Sequence, residues 1–169
     1  NEDLVYSNLF YSVDKPSLLL SDKDFESLIF RGIDENYDIN KFNDLFIKEG
    51  EVLNKINKNE ILISSKLAQR NEINLNQKVR IFFNKDFSQK IPNVRSFKVI
   101  GVFETEFPEF DNNLILGNIE DIKKIYSWDI NQTGNLNIVI ENKDDIIPYQ
   151  NILNSSNYLM DNDLRASSV

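Results

Sequence analysis

The sequence predicts an α+β domain with largely antiparallel sheets. Candidate strands outnumber helices, the helical segments are short, and no regular β-α-β alternation runs along the 169 residues. That length suits one ordinary domain, or two small lobes sharing a chain. Hydrophobic residues make up 41%, with 12 Phe and 6 Tyr, which is enough to fill a core and unlike a disordered composition. There is no internal repeat and no low-complexity linker, so any two lobes must be interwoven.

Residues 17–20 (SLLL) and 27–33 (SLIFRGI) are apolar runs either side of a polar turn, and read as two antiparallel strands. One helix after Pro16 competes, because Leu18, Asp22, Phe25 and Ile29 nearly fit a 3.6 period. Gly32 and the lack of a clean apolar stripe favour strands. Residues 60–63 (EILI) form the next strand, after which Ser64 or Ser65 caps a short helix over 66–70. A turn at 74–78 leads into a strand in which Val79 and Ile81 alternate with Arg80.

Residues 84–95 (NKDFSQKIPNVR) follow no period and read as a protruding loop or hairpin. The strand at 96–103 is the strongest in the chain, and 114–116 (LIL) continues the sheet. Asn118 caps a helix with Glu120 and Asp121 in its first turn and Lys123 and Lys124 later, the charge order that the helix dipole favours. Ile119, Ile122 and Ile125 are its buried face. Gly134 turns the chain into a strand at 135–141, with Leu136, Ile138 and Ile140 on one side. Asp144 or Asp145 opens a last helix with Pro148 in its first turn. The polar stretch 161–169 is expected to be only partly ordered.

Composition removes whole classes of function. Nineteen basic against 27 acidic residues give a net charge of −8, which disfavours nucleic acid and anionic lipid surfaces. With no Cys there is no disulfide, thiolate or Cys-metal chemistry. With no His, serine-triad and zinc-hydrolase mechanisms lose their usual base and ligand. No cofactor is expected. No stretch approaches the roughly 18 apolar residues of a membrane span. The start, NEDLVYSNLF, lacks a signal-peptide profile and an initiator Met, and reads as part of a longer chain.

Residues 101–116 (GVFETEFPEFDNNLIL) gather Glu104, Glu106, Glu109 and Asp111 among Phe107, Pro108 and Phe110. Hard oxygen ligands for calcium, or a paired-carboxylate hydrolase, are conceivable. The knot lacks the Gly and the ligand spacing of an EF-hand loop. The favoured reading is a corner between strands, with Phe103, Phe107 and Phe110 packed inward and the acids in water. Arg31, inside an apolar run, could line a substrate path, but such a residue more often snorkels or pairs with an acid. The sequon at 131–133 (NQT) carries no expected role.

The ordered set "ILI–S–LA", "R-F-VIGVF" and "EFD–L–L–IED" across residues 60–141 resembles the extracytoplasmic domain of ABC transporter permeases of the lipoprotein-releasing (LolC/LolE) type, in the MacB/FtsX superfamily. Residues 30–34 (FRGID) and 158–165 (YLMDNDLR) extend the likeness. Asn76 and Gln77 replace a usual Gly-Asp, Glu106 a common Gly, and Asn162 a common Trp. Asn tolerates the left-handed turn that position 76 requires.

The resemblance implies a MacB-like periplasmic core on the outer side of the inner membrane. It implies a mixed α/β porter-like lobe from about 1–45 and 119–169, with a mostly antiparallel β lobe inserted at about 46–118. The usual first strand and helix are missing before Asn1. The domain would be non-catalytic, with ATP hydrolysed on a separate cytoplasmic ABC subunit. Its expected partners are that ATPase, a second permease, lipoprotein cargo and a LolA-like periplasmic carrier.

In such permeases the hairpin equivalent to 84–95 can form a hook that docks the carrier. Ile91, Pro92 and Arg95 match the hook's Ile-Pro-x-x-Arg arm, and Lys85, Phe87 and Lys90 add charge and apolar contact. The alternative is an ordinary solvated hairpin. A second reading keeps the superfamily but makes the domain an efflux or cell-wall-hydrolase-regulating one.

Overall fold

The computed structural model describes residues 6–20, 24–84, 93–129, 132 and 134–155. The elements are β1 (Asn8–Leu20), β2 (Phe25–Ile33), α1 (Ile39–Phe46), β3 (Ile47–Gly50), β4 (Glu60–Ser64), α2 (Ser65–Arg70), β5 (Lys78–Phe83), β6 (Asn93–Phe103), α3 (Pro108–Asp111), β7 (Leu114–Asn118), α4 (Ile119–Tyr126), β8 (Asn135–Val139), a 3₁₀ turn (Lys143–Asp145) and α5 (Ile146–Asn154). The fold is mixed α/β, as expected.

The strand reading of the first two apolar runs holds. β1 and β2 pair antiparallel from Ser12↔Ile33 to Leu20↔Phe25. The eight strands make one sheet in the order β2-β7-β4-β6-β5-β1-β8, with β3 on β6. Because β1 also pairs with β2, six of these strands close into a barrel. Five of its pairings and flanks are antiparallel; β2–β7 and β4–β6 are parallel.

Period-2 alternation puts one set of side chains inside the barrel. The register links Leu19↔Ile81, Val79↔Phe97, Ile61↔Val99, Ile63↔Ile115 and Phe30↔Ile115 around the ring. Phe30, fully buried, sits at its centre with ring centroids 5.3 Å from Phe83 and 5.1 Å from Phe97. Leu67 of α2 and Ile119, Ile122 and Ile125 of α4 join this cluster, as the sequence anticipated for α4. Asn118 caps α4 by accepting the Glu120 N–H at 2.8 Å. Asn76 takes φ 66°, the left-handed turn foreseen for it.

A second cluster lies on the outer wall of the barrel. There α1 lays Ile39 and Phe42, with Val52 and Ile56, against Ile33, Leu62, Phe103, Leu114 and Leu116. Asp38 starts α1 by accepting the Lys41 N–H at 3.0 Å. Neither α1 nor β3 was anticipated.

Several expectations need correction. Residues 93–95 belong to β6 rather than to a loop, because Asn93, Val94 and Arg95 pair with Phe83, Phe82 and Ile81. Ser64 precedes α2 but does not cap it with its side chain; its hydroxyl is buried without a hydrogen bond among the described residues. Leu136 of β8 is 48% exposed, so that strand presents no buried apolar side there. The sequon residues 131 and 133 and the stretch 161–169 lie outside the described residues.

The chain divides into one compact unit of Asn1–Leu9 with Ile138–Val169, and another of Phe10–Asn137. In the first unit, Ser7 donates its N–H to the Val139 carbonyl at 2.9 Å, and the 3₁₀ turn runs into α5 with Pro148 near its start. The barrel and both clusters belong to the second.

Candidate functional site

Of the hook residues singled out in the sequence, Lys85, Phe87, Lys90, Ile91 and Pro92 lie outside the described residues. Arg95 is described: it is exposed on β6, and its Nη1 donates to the Val94 carbonyl at 3.2 Å. The arms of this hairpin carry a local positive face. Lys78 stands opposite Lys98 across the β5–β6 ladder, Arg80 stands opposite Ser96, and all four are exposed. None of the three cations has an ion pair among the described residues.

The acidic-aromatic stretch is a corner between β6 and β7, built around α3. Its internal arrangement differs from expectation in two respects. Asp111 is 1% exposed rather than in water, and it accepts Thr105 N–H at 2.8 Å, Thr105 Oγ1–H at 2.9 Å and Glu106 N–H at 2.9 Å. That carboxylate ties down a turn in which Glu106 takes φ 68°. Phe107 is 55% exposed rather than packed inward, while Phe103 is fully buried. Among the described residues no group of three or more Asp and Glu is placed to hold a metal ion.

The corner helps to enclose a cavity of about 220 Å³ on the outer wall of the barrel. Its floor is the outward face of three strands, with Phe10 and Ser12 from β1, Arg31 from β2, and Leu114 and Leu116 from β7. These side chains converge because Asp14↔Arg31 and Arg31↔Leu116 are cross-strand neighbours. Tyr37 with Phe42 and Phe46 of α1 forms one wall; Thr105, Phe107 and Phe110 form another, and Asn137 closes an end. The rings form a chain by centroid distance, with Phe10 and Tyr37 edge to face at 4.9 Å, and Tyr37–Phe42 at 6.1 Å and Phe42–Phe46 at 5.2 Å in tilted contact.

Among the described residues, Arg31 is the one charged side chain lining the cavity. It pairs with Asp14 in a two-pronged fork, Nε to Oδ1 and Nη2 to Oδ2, each 2.7 Å. The salt-bridge reading of Arg31 therefore holds, while the same residue also lines a cavity. Its guanidinium lies 5.8 Å from the Phe110 ring centroid. Asp14 holds the Arg31 pKa above its ordinary value against the opposing effect of burial. Burial pushes the Tyr37 hydroxyl up to about 12, with Arg31 opposing and Asp38 adding, so it remains a proton donor at any ordinary pH.

The α1 wall was missed in the sequence. Its signal was present: Asp38 as a cap before Ile39, Phe42 and Phe46 at helical spacing.

No family model matches the chain, and no curated protein sequence matches it. Solved structures do. The extracellular domain of the ABC-type transporter YknZ from Gram-positive bacteria aligns with a TM-score of 0.57 at 15% identity, over 86% of this chain and 71% of that one. The periplasmic region of MacB from Actinobacillus actinomycetemcomitans aligns with a TM-score of 0.56 at 14% identity, over 91% and 69%. At such identity the likeness is one of fold, and the fold of this chain is that of the extracytoplasmic domains of these ABC-type transporters.

Proposed function

We propose that this chain is a non-catalytic extracytoplasmic domain of an ABC transporter permease that works by touching other proteins. The carrying observation is the fold it shares with the domains of YknZ and MacB. On this reading ATP hydrolysis belongs to a separate cytoplasmic subunit, and the domain stands on the periplasmic side of the inner membrane beside a second permease.

Within that class we favour lipoprotein release to a LolA-like carrier, with the 84–95 hairpin as the docking element. The ordered motifs over 60–141 support this, as does the basic face of the hairpin arms on a chain of net charge −8. Local positive charge on an acidic molecule suits a partner with an acidic face. The shared fold fits equally well with the second reading, an efflux or cell-wall-hydrolase-regulating permease.

These 169 residues contain no Cys, so in a full-length permease with any other cysteines replaced, one introduced at the exposed Glu109 is a clean reporter. In the full-length permease Glu109→Cys should react with a membrane-impermeant maleimide in intact spheroplasts. Labelling only after lysis would remove the extracytoplasmic assignment. The folded chain should also bind a LolA-like carrier at low salt, and Arg95→Glu should weaken that binding about tenfold or more. A folded wild type that ignores the carrier leaves the efflux reading in its place.

A further inference from the structure

The cavity on the barrel's outer wall has a size, a polarity and a charge state that together select an occupant. We propose that it is an anchor pocket for one aromatic side chain of an extended, uncharged peptide segment of a partner protein. This does not depend on the hairpin 84–95 or on which cargo the transporter handles.

Size comes first. At about 220 Å³ the space exceeds the ~150 Å³ apolar cavity known to accept benzene, yet falls short of the roughly 300 Å³ at which pockets for whole drug-sized ligands begin. A phenyl or indole group attached to something outside fits that interval. A buried aromatic anchor in such a pocket is the usual centre of a protein–peptide contact.

Polarity comes second. Six rings and two leucines make up most of the lining, with Ser12, Thr105 and Asn137 as neutral polar members, so the inner part of the occupant must be mainly apolar. Two of the lining residues carry spare donors: Arg31, whose Nη1 hydrogens are left over after the fork with Asp14, and Tyr37 with its hydroxyl. Neither of these makes a hydrogen bond among the described residues. A main-chain carbonyl next to the anchor residue would satisfy them, and burying them unmatched would be costly. The half-exposed ring of Phe107 at the corner offers flanking apolar contact.

Charge decides the rest. Asp14 already neutralises Arg31, no acid among the described residues lines the cavity, and the molecule carries −8 overall. An anionic ligand would meet a guanidinium whose charge Asp14 already offsets, and a cationic one would meet no counter-charge among the described lining residues. Either would bury a poorly compensated ion. The occupant is therefore neutral.

The test is an NMR titration of the 169-residue chain with acetyl-Gly-Ser-Trp-Ser-Gly-amide, with matched peptides carrying Ala or Glu in place of Trp, and with methyl indole-3-acetate. The Trp peptide should shift amides of α1 and of the corner at 104–111, and should bind at least tenfold more tightly than the Ala and Glu peptides. Leu116→Phe, which fills the cavity floor, should abolish the shifts. Phe107→Ala, at an exposed site that the fold does not need, should weaken binding severalfold, and Arg31→Gln should do the same. Absence of saturable shifts with the folded wild type overturns the proposal, as does undiminished binding to a folded Phe107→Ala protein. Binding of methyl indole-3-acetate without the Trp peptide overturns the peptide occupant.

Discussion

Asp111 shows how much of the corner rests on one side chain. A carboxylate 1% exposed would be costly alone, but three donors converge on it, two of them main-chain N–H groups. Asp111→Ala leaves those buried donors unmatched and should cost about 3 kcal/mol in a urea denaturation midpoint analysis. A loss below about 1 kcal/mol would mean that the turn holds itself. The sequence placed acids in a corner but could not say which one turned inward. That depends on where Thr105 and Glu106 point their N–H groups once Glu106 adopts a positive φ.

Asp121 is the second buried acid, 6% exposed in the first turn of α4, where it accepts the Asn59 N–H at 2.9 Å. Burial raises its pKa above the ordinary 3.8; the Asn59 hydrogen bond, Lys58 and Lys124 oppose, and Glu120 adds. A folded pKa above the unfolded one means that its contribution to stability is fully present below about 3.8 and is lost as pH rises through the folded value. Asp121→Asn keeps an acceptor for Asn59 and cannot ionise. Its denaturation midpoint relative to wild type should therefore be more favourable at pH 7 than at pH 3. Equal differences at the two pH values would contradict the assigned shift.

At the scale of elements, local rules worked for several segments that contained their own signal, though α1, which also carried one, was missed. Alternation in Val79–Arg80–Ile81 and the apolar run of 97–103 specified β5 and β6, and Asn118 with its charge order specified α4. Asn118 does two jobs: its Oδ1 accepts from Glu120 N–H and its Nδ2 donates to the Ile56 carbonyl, each at 2.8 Å. Asn118→Ala should cost about 1–2 kcal/mol, the upper range for a lost cap, whereas Asn118→Ser, which keeps the cap, should recover part of it. Equal loss in both would assign the effect to the Ile56 bond alone. The length of the loop after β5 was overestimated because polar Asn93 and Arg95 hid strand residues. Their pairing to β5 is decided across the hairpin rather than along it.

The whole molecule depends on closure of the barrel, and Gly117 marks how tightly it closes. A Cβ there would lie 2.3 Å from Phe30 Cζ, and Phe30 is held on its other sides by Phe83 and Phe97. Gly117→Ala must push a fully buried ring and should cost about 2–3 kcal/mol, measured by chemical denaturation. A neutral substitution would mean that the Phe30 ring has room to turn.

The amino-acid sequence by itself determined every strand but β3, though not all their bounds, together with the α4 helix, the corner at 104–111, and the absence of Cys and His chemistry, because each is written in neighbouring residues or in composition. Only the tertiary structure decided that β1 returns to β2 and closes six strands into a barrel, that Asp111 is the buried acid of the corner, and that Arg31, Tyr37, Phe42 and Phe107 line one cavity. These outcomes join residues tens of positions apart. The choice among such contacts is made by burial and register over the whole sheet, which no local window contains.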